Sequence, residues 1–255
     1  MKVNLHTHTE RCGHAYGADE DFVIAAIEHG YTKLGFSDHN PFPYEPEFRK
    51  DDPKMSMEMF EDYILSITAL KEKYKGQIEI LLGLECESVP RFYPFLAEVR
   101  QRLDYMILGN HGDWTCGESF SELATPKGLE HYVDMAVQGL ETGLFLYIAH
   151  PDLMLHSYPG MDDAAVQLSR QLCREANRLN IPLEYNLYGK LKKVVPPALG
   201  YPCEAFWQIA AEENVRAAVG IDAHRPRNFE IEDMEAGIQK LESMGITVLR
   251  DPTKA

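Results

Sequence analysis

The chain has 255 residues, 45% of them hydrophobic, and 40 acidic against 25 basic side chains give a formal charge of −15. That length can bury a substantial core in one domain, expected to span residues 1–255. The acidic field opposes binding to nucleic acid or an anionic membrane, and no run of about 18 apolar residues exists to span a bilayer. With no apolar leader at the amino terminus, the cytoplasm is the expected location. Cys12, Cys86, Cys116, Cys173 and Cys203 are scattered, form no CxxC pair and read as reduced thiols.

In chain order, β-favouring runs fall at 3–9 (VNLHTHT), 33–39 (KLGFSDH), 78–87, 104–111, 144–150, 181–187 and 215–224. Amphipathic stretches lie between them at 19–29, 58–75, 92–102, 127–141, 162–179, 203–213 and 230–243, the last followed by a short ITVLR. This alternation predicts a parallel sheet with helices outside it, either closed into a barrel or open and doubly wound. No GxGxxG or GxxxxGK[ST] follows a strand, so a nucleotide-binding open sheet has no support.

The polar residues decide between the two. His6 and His8 are alternate residues of an extended run and share one face. His39, Glu85, His111, His150, Asp222 and His224 fall at or near the ends of later strands. Barrel strands converge their carboxyl ends on one mouth, whereas an open sheet holds its edge strands apart. A barrel therefore turns a scattered set into one metal site. Of the other histidines, His29 precedes Gly30 and reads as a helix-terminal cation, while His131 and His156 read as surface residues, His156 at the margin of a substrate site. Imidazole and carboxylate without thiolate suit Zn, Mn or Fe.

The series HTH (6–8), His14, SDH (37–39), GLE (83–85), GNH (109–111), HPD (150–152) and DAH (222–224) resembles the PHP superfamily, the polymerase and histidinol phosphatase domains, in order and over nearly the whole chain. The resemblance implies an α/β fold, a distorted TIM-like (β/α)7 barrel with its metal site at the carboxyl mouth of the strands. It also implies three divalent ions: one on His6, His8, Glu85 and Asp222, a second on Glu85, His111 and His150, and a third on His14, His39 and His224. Glu85 would bridge the first two. Ions with three protein ligands keep positions open for substrate, and the centre would carry a net charge of roughly +3 inside an acidic protein. Phosphate ester hydrolysis by a metal-bridging hydroxide is the implied reaction.

Asp19, Asp113 and Asp152 are candidates for the acid that protonates the leaving alcohol, although Asp19 also reads as a helix cap. The stretch LEYNLYGKLKKV resembles the histidinol-phosphatase branch and places Glu184, Asn186 and Gly189 near the mouth, with Lys190, Arg225 and Arg227 as cations that could hold phosphate. One departure concerns the clamp. That branch carries a basic residue shortly after the strand-five HxD, where this chain reads HPDLMLHSYPG, with Leu155 and His156. The expected activity is hydrolysis of a small phosphorylated metabolite, led by L-histidinol phosphate of histidine biosynthesis. The alternatives are a PHP-type exonuclease or phosphodiesterase, which the net charge disfavours, and an amidohydrolase-like enzyme. The latter shares HxH but uses a strand-four lysine and an aspartate after strand eight. A metal-stabilised binding module, with saturated ions, is the non-catalytic option.

Overall fold

Four strands of the amino-terminal half, β1 (Lys2–Asn4), β2 (Tyr31–Phe36), β3 (Glu79–Cys86) and β4 (Tyr105–Leu108), pair in parallel in sequence order. They alternate with α1 (Asp19–Glu28), α2 (Met57–Lys73) and α3 (Tyr93–Arg100). The computed structural model describes residues 2–43, 54–113, 118–231 and 233–254, and Cys116 lies outside them. A short antiparallel hairpin, β5 (Gly112–Asp113) with β6 (Glu118–Ser119), follows β4 and precedes α4 (Pro126–Glu141). The second half contains α5 (Asp163–Arg178), β7 (Leu183–Asn186), α6 (Glu204–Glu212), β8 (Arg216–Gly220), α7 (Asn228–Ile231), α8 (Met234–Ser243) and β9 (Thr247–Val248).

Helix starts follow local chemistry. Ser56, Thr125, Asp162 and Asp233 each accept a first-turn amide at the heads of α2, α4, α5 and α8. The helices lie outside the strands, and their apolar faces form the larger core, with Phe22, Ile67, Leu96, Val133, Leu172, Phe206 and Leu241 all buried.

The expected strand at 144–150 is reduced to one bridging residue. Ile148 pairs with Leu108 on one side and Leu183 on the other. Hydrogen bonds from Leu146 N to Met106 O, Ala149 N to Leu108 O and Glu184 N to Ile148 O nevertheless carry the sheet across. At the other seam Thr7 pairs with Ala223, so the first and last barrel segments meet and close the ring. The result is the distorted seven-segment barrel expected from the sequence. The hairpin, the division of 230–243 into two helices and the pairing of β9 with the start of β8 are additions.

The barrel interior is a small second cluster of Val3, Leu5, Tyr105, Ile107, Tyr147 and Ala149. Tyr105 crosses it, its hydroxyl reaching the carbonyls of Leu5 (2.6 Å) and Phe36 (3.0 Å). Gly35 and Gly83 leave the space its ring fills. Below them the buried Lys33 ammonium pairs with Asp251 at 2.9 Å, tying the last residues to the floor. Among the described residues no helix is long and apolar enough to cross a membrane.

A methyl group at position 83 would overlap the Tyr105 ring. Gly83→Ala is therefore expected to cost about 1–3 kcal/mol of unfolding free energy, as overpacked core sites do. Urea titration checks this, and an unchanged midpoint would show that Tyr105 has room to move.

Candidate metal centre

Beyond β1 the chain stays extended, and His6 and His8 turn the same way, their Nε2 atoms 3.2 Å apart. Both face Asp222 Oδ1, at 3.4 Å from His6 and 3.0 Å from His8. Asp222 follows β8 and reaches them through the Thr7–Ala223 seam. Glu85, near the end of β3, occupies the middle. Its Oε1 lies 3.4 Å from His6 Nε2, 2.8 Å from His150 Nε2 and 3.4 Å from His111 Nε2. Its Oε2 lies 3.5 Å from His8 Nε2 and 3.0 Å from His39 Nδ1. On the outer side the His14 ring lies 4.8 Å from that of His224 and 5.3 Å from that of His39.

The backbone is shaped to this end. His150 (φ 30°) and Asp222 (φ 55°) both adopt left-handed conformations, uncommon outside glycine and concentrated at functional sites. A side chain at Gly109 would overlap the Glu85 carboxyl, and one at Gly220 would overlap that of Glu184. The glycine of GNH thus leaves room for the central carboxylate.

The outward ring nitrogens are anchored. His14 Nδ1 donates to the Cys12 carbonyl and His224 Nδ1 to the Asp222 carbonyl, each at 2.9 Å. A carbonyl only accepts, so each ring carries a proton on Nδ1 and, when neutral, offers its Nε2 lone pair to a cation. His6 Nδ1 lies 2.9 Å from Glu184 and His111 Nδ1 3.0 Å from Glu87, while His8 Nδ1 sits 3.5 Å from Asp38. These carboxylates are themselves held: Glu184 by Asn186 and the His150 amide, Glu87 by Lys54 and the His111 amide, Asp38 by Thr9 and the His39 amide.

Burial raises the Glu85 carboxyl, but His111, His6 and His39 around it and the His150 hydrogen bond hold it well below the usual carboxylate range. Burial likewise raises Asp222, and His6 and His224 outweigh it. His6 shows the reverse: burial disfavours its charge, yet Glu184, Asp222 and Glu85 raise it well above an ordinary imidazole. The centre therefore holds ionised carboxylates that demand positive charge. Glu85 Oε2, Asp222 Oδ1 and His39 Nδ1 are buried without a hydrogen-bond partner and face the same interior, as metal-binding atoms would. Two groupings, His6 with His8 and Asp222 and His6 with Glu85 and His150, bring ligand atoms within 4.8 Å of one another, as do His8, His39 and Glu85. These residues fit divalent metal.

The remaining candidates lie elsewhere. Asn186 is buried and donates to Glu184 and Asp222, so it orients the centre from behind. Asp19 pairs with Arg11 and accepts from Ser66 at the foot of α1. Asp113 faces His131 at 3.2 Å. Asp152 accepts from the Cys203 amide and the Trp207 indole, and burial pushes its carboxyl up to about 7. Lys190 is exposed over the Tyr185 ring, and Arg225 is exposed over Tyr16.

The cavity above the cluster has a volume of about 310 Å³, and neither those three aspartates nor Lys190, Arg225 or Arg227 line it. Its wall instead includes Lys54, Glu87, Ser119, Ser121, Leu153, His156, Tyr188, Lys192 and Tyr201. Of these only His156 and the Lys192 segment carried a signal in the sequence. Glu87 and Asp38 stand beside Glu85 and His39, yet their holding role depends on rings far along the chain.

Residues 4–187 match the PHP domain family. The chain belongs to that family. It is 29% identical over 239 residues to the "Probable histidinol-phosphatase" of Deinococcus radiodurans, covering 87% of this chain and 85% of the relative. It is 24% identical over 280 residues to the "Probable histidinol-phosphatase" of Schizosaccharomyces pombe, covering 98% and 89%. The fold of this PHP domain is also that of the histidinol phosphate phosphatase of Lactococcus lactis, solved in complex with zinc, L-histidinol and phosphate. There the TM-score is 0.69 at 16% identity, over 97% of this chain and 95% of the other.

If Gly109 serves to leave room for Glu85, Gly109→Ala displaces that carboxylate. The variant is expected to keep its far-ultraviolet circular dichroism but to bind less divalent metal per chain by elemental analysis. Wild-type metal content would remove the glycine from the design of the site.

Proposed function

We propose that this PHP domain is a metal-dependent phosphomonoesterase of the histidinol-phosphatase type, acting on L-histidinol phosphate. The observation that carries the proposal is the convergence of seven histidines on the Glu85 and Asp222 carboxylates beneath a cavity of small-metabolite size. The names and ligands of the relatives support the substrate. A free phosphorylated metabolite also suits a protein of charge −15 better than a nucleic acid end does.

Three divalent ions, of Zn, Mn or Fe, are assigned to the chain. His6, His8, Glu85 and Asp222 would hold the first, Glu85, His111 and His150 the second, and His14, His39 and His224 the third. When bound, such ions supply Lewis acidity, activation of water near neutral pH and compensation of the charge that develops on a phosphoryl group. The protein's part is orientation. Glu184, Glu87, Asp38 and two backbone carbonyls fix the rings so that little reorganisation accompanies the reaction. Leu153, Tyr188 and Tyr201 form apolar and aromatic parts of the cavity wall. Asp19, Asp113 and Asp152 all stand off the wall, so a proton from any of them to the leaving alkoxide would pass through water.

Purified protein loaded with Zn, Mn or Fe is expected to release inorganic phosphate from L-histidinol phosphate with at least one of them, and absence of release with all three would overturn the proposal. Glu85→Ala should lose metal and activity together because it serves two ions. His14→Ala should lose about one ion of the three assigned, as expected for a ligand of a single site. Loss of the full complement on His14→Ala would contradict the split between sites.

A further inference from the structure

Among the described residues, the cavity wall includes two lysines, Lys54 and Lys192. They are not equivalent. Lys54 is buried and pairs with the buried Glu87 carboxylate at 2.8 Å, so its charge is largely committed to a protein partner. Lys192 forms no ion pair with a carboxylate among the described residues. Its Nζ lies 4.5 Å from the centre of the Tyr188 ring, a cation–π distance, and the Tyr188 ring stacks on that of His224 at 4.7 Å and 25°. The ammonium thus lies one ring away from an assigned metal ligand, on a residue that is exposed and lines the cavity. Lys192 also faces His156, and burial together with that cation holds the His156 imidazole below its ordinary range.

The segment after His150 supplies no cation of its own. After His150 the chain runs through Pro151, Asp152, Leu153, Met154 and Leu155, all buried, and none is a cation. A phosphate dianion drawn to the metal centre still has outer oxygens on the cavity side, which a cation not already neutralised can receive. Resting on the phosphomonoesterase reading above, we propose that Lys192 is the specificity-determining residue that receives the outer oxygens of the substrate's phosphoryl group, serving as the basic clamp that the segment after His150 lacks. Lys192 acts on the dianion of a monoester, whereas a diester would offer it only half the charge.

With metal-loaded protein, Lys192→Ala is expected to raise KM for L-histidinol phosphate and the inhibition constant of inorganic phosphate each about tenfold, with kcat within about threefold, as for loss of one charge-assisted contact. Lys192→Arg should restore both to within about threefold, and the exposed neighbour Lys193→Ala should leave them unchanged. Added salt should raise KM of the wild type more steeply than that of Lys192→Ala. Calorimetric titration of inorganic phosphate into the metal-loaded wild type and Lys192→Ala reads the same contact without turnover. If the wild type hydrolyses no phosphomonoester, the parent reading fails while this titration still decides the role of Lys192. Equal phosphate affinity in the two proteins overturns the assignment. So does a fall in metal content on Lys192→Ala, which would place the effect in the Tyr188–His224 stack.

Discussion

The metal centre depends on how the barrel closes. Thr7 pairs with Ala223 through hydrogen bonds from His8 N to Ala223 O (2.9 Å) and from Ala223 N to His6 O (3.0 Å). This short parallel seam brings the HTH and DAH segments, at opposite ends of the chain, side by side. Each then contributes alternate residues to the same mouth: His6 and His8 from one, Asp222 and His224 from the other. Backbone pairing therefore does the positioning, and the side chains inherit a separation that a flexible loop could not hold.

Charge is the second constraint. Glu85 and Asp222 are buried and ionised, with further carboxylates of Asp38, Glu87 and Glu184 close behind the rings. Burying so much negative charge is costly unless something positive occupies the centre. Protonated imidazoles could meet the demand in part, but they leave no lone pair for a cation, whereas the carbonyl anchors of His14 and His224 place the proton on Nδ1 and turn Nε2 inward, where a neutral ring can bind one. Divalent cations satisfy both requirements at once. The folded protein then concentrates positive charge at one point of an otherwise acidic surface, which suits an anionic substrate.

Much of this was legible in the sequence because it is local. HTH places two imidazoles on one face through the two-residue period of extended chain, and histidines at the ends of successive strands required only the βα alternation to be counted. The strand at 144–150 was legible as a β-favouring run, although its pairing shrank to Ile148, whose two neighbours are far away in sequence. The cations were less legible. Lys190, Lys192 and Lys193 look alike in GKLKK, and only the turn after Asn186 sends Lys190 over Tyr185 and Lys192 over Tyr188 into the cavity wall.

The sequence by itself thus determined the alternating architecture and the metal-binding residue types, and its resemblance to the PHP superfamily implies how they would be grouped on three ions. Tertiary structure decided what supports them. His6 is held by Glu184, 178 residues away, and His150 meets Glu85 across 65 residues. Gly109 and Gly220 matter because of carboxylates that fold against them. The physical reason is that residue type and spacing set which face a side chain leaves from, whereas its partner is chosen by barrel closure. Asp19, Asp113 and Asp152 all follow ligand segments closely, yet each is turned toward a partner away from the cavity.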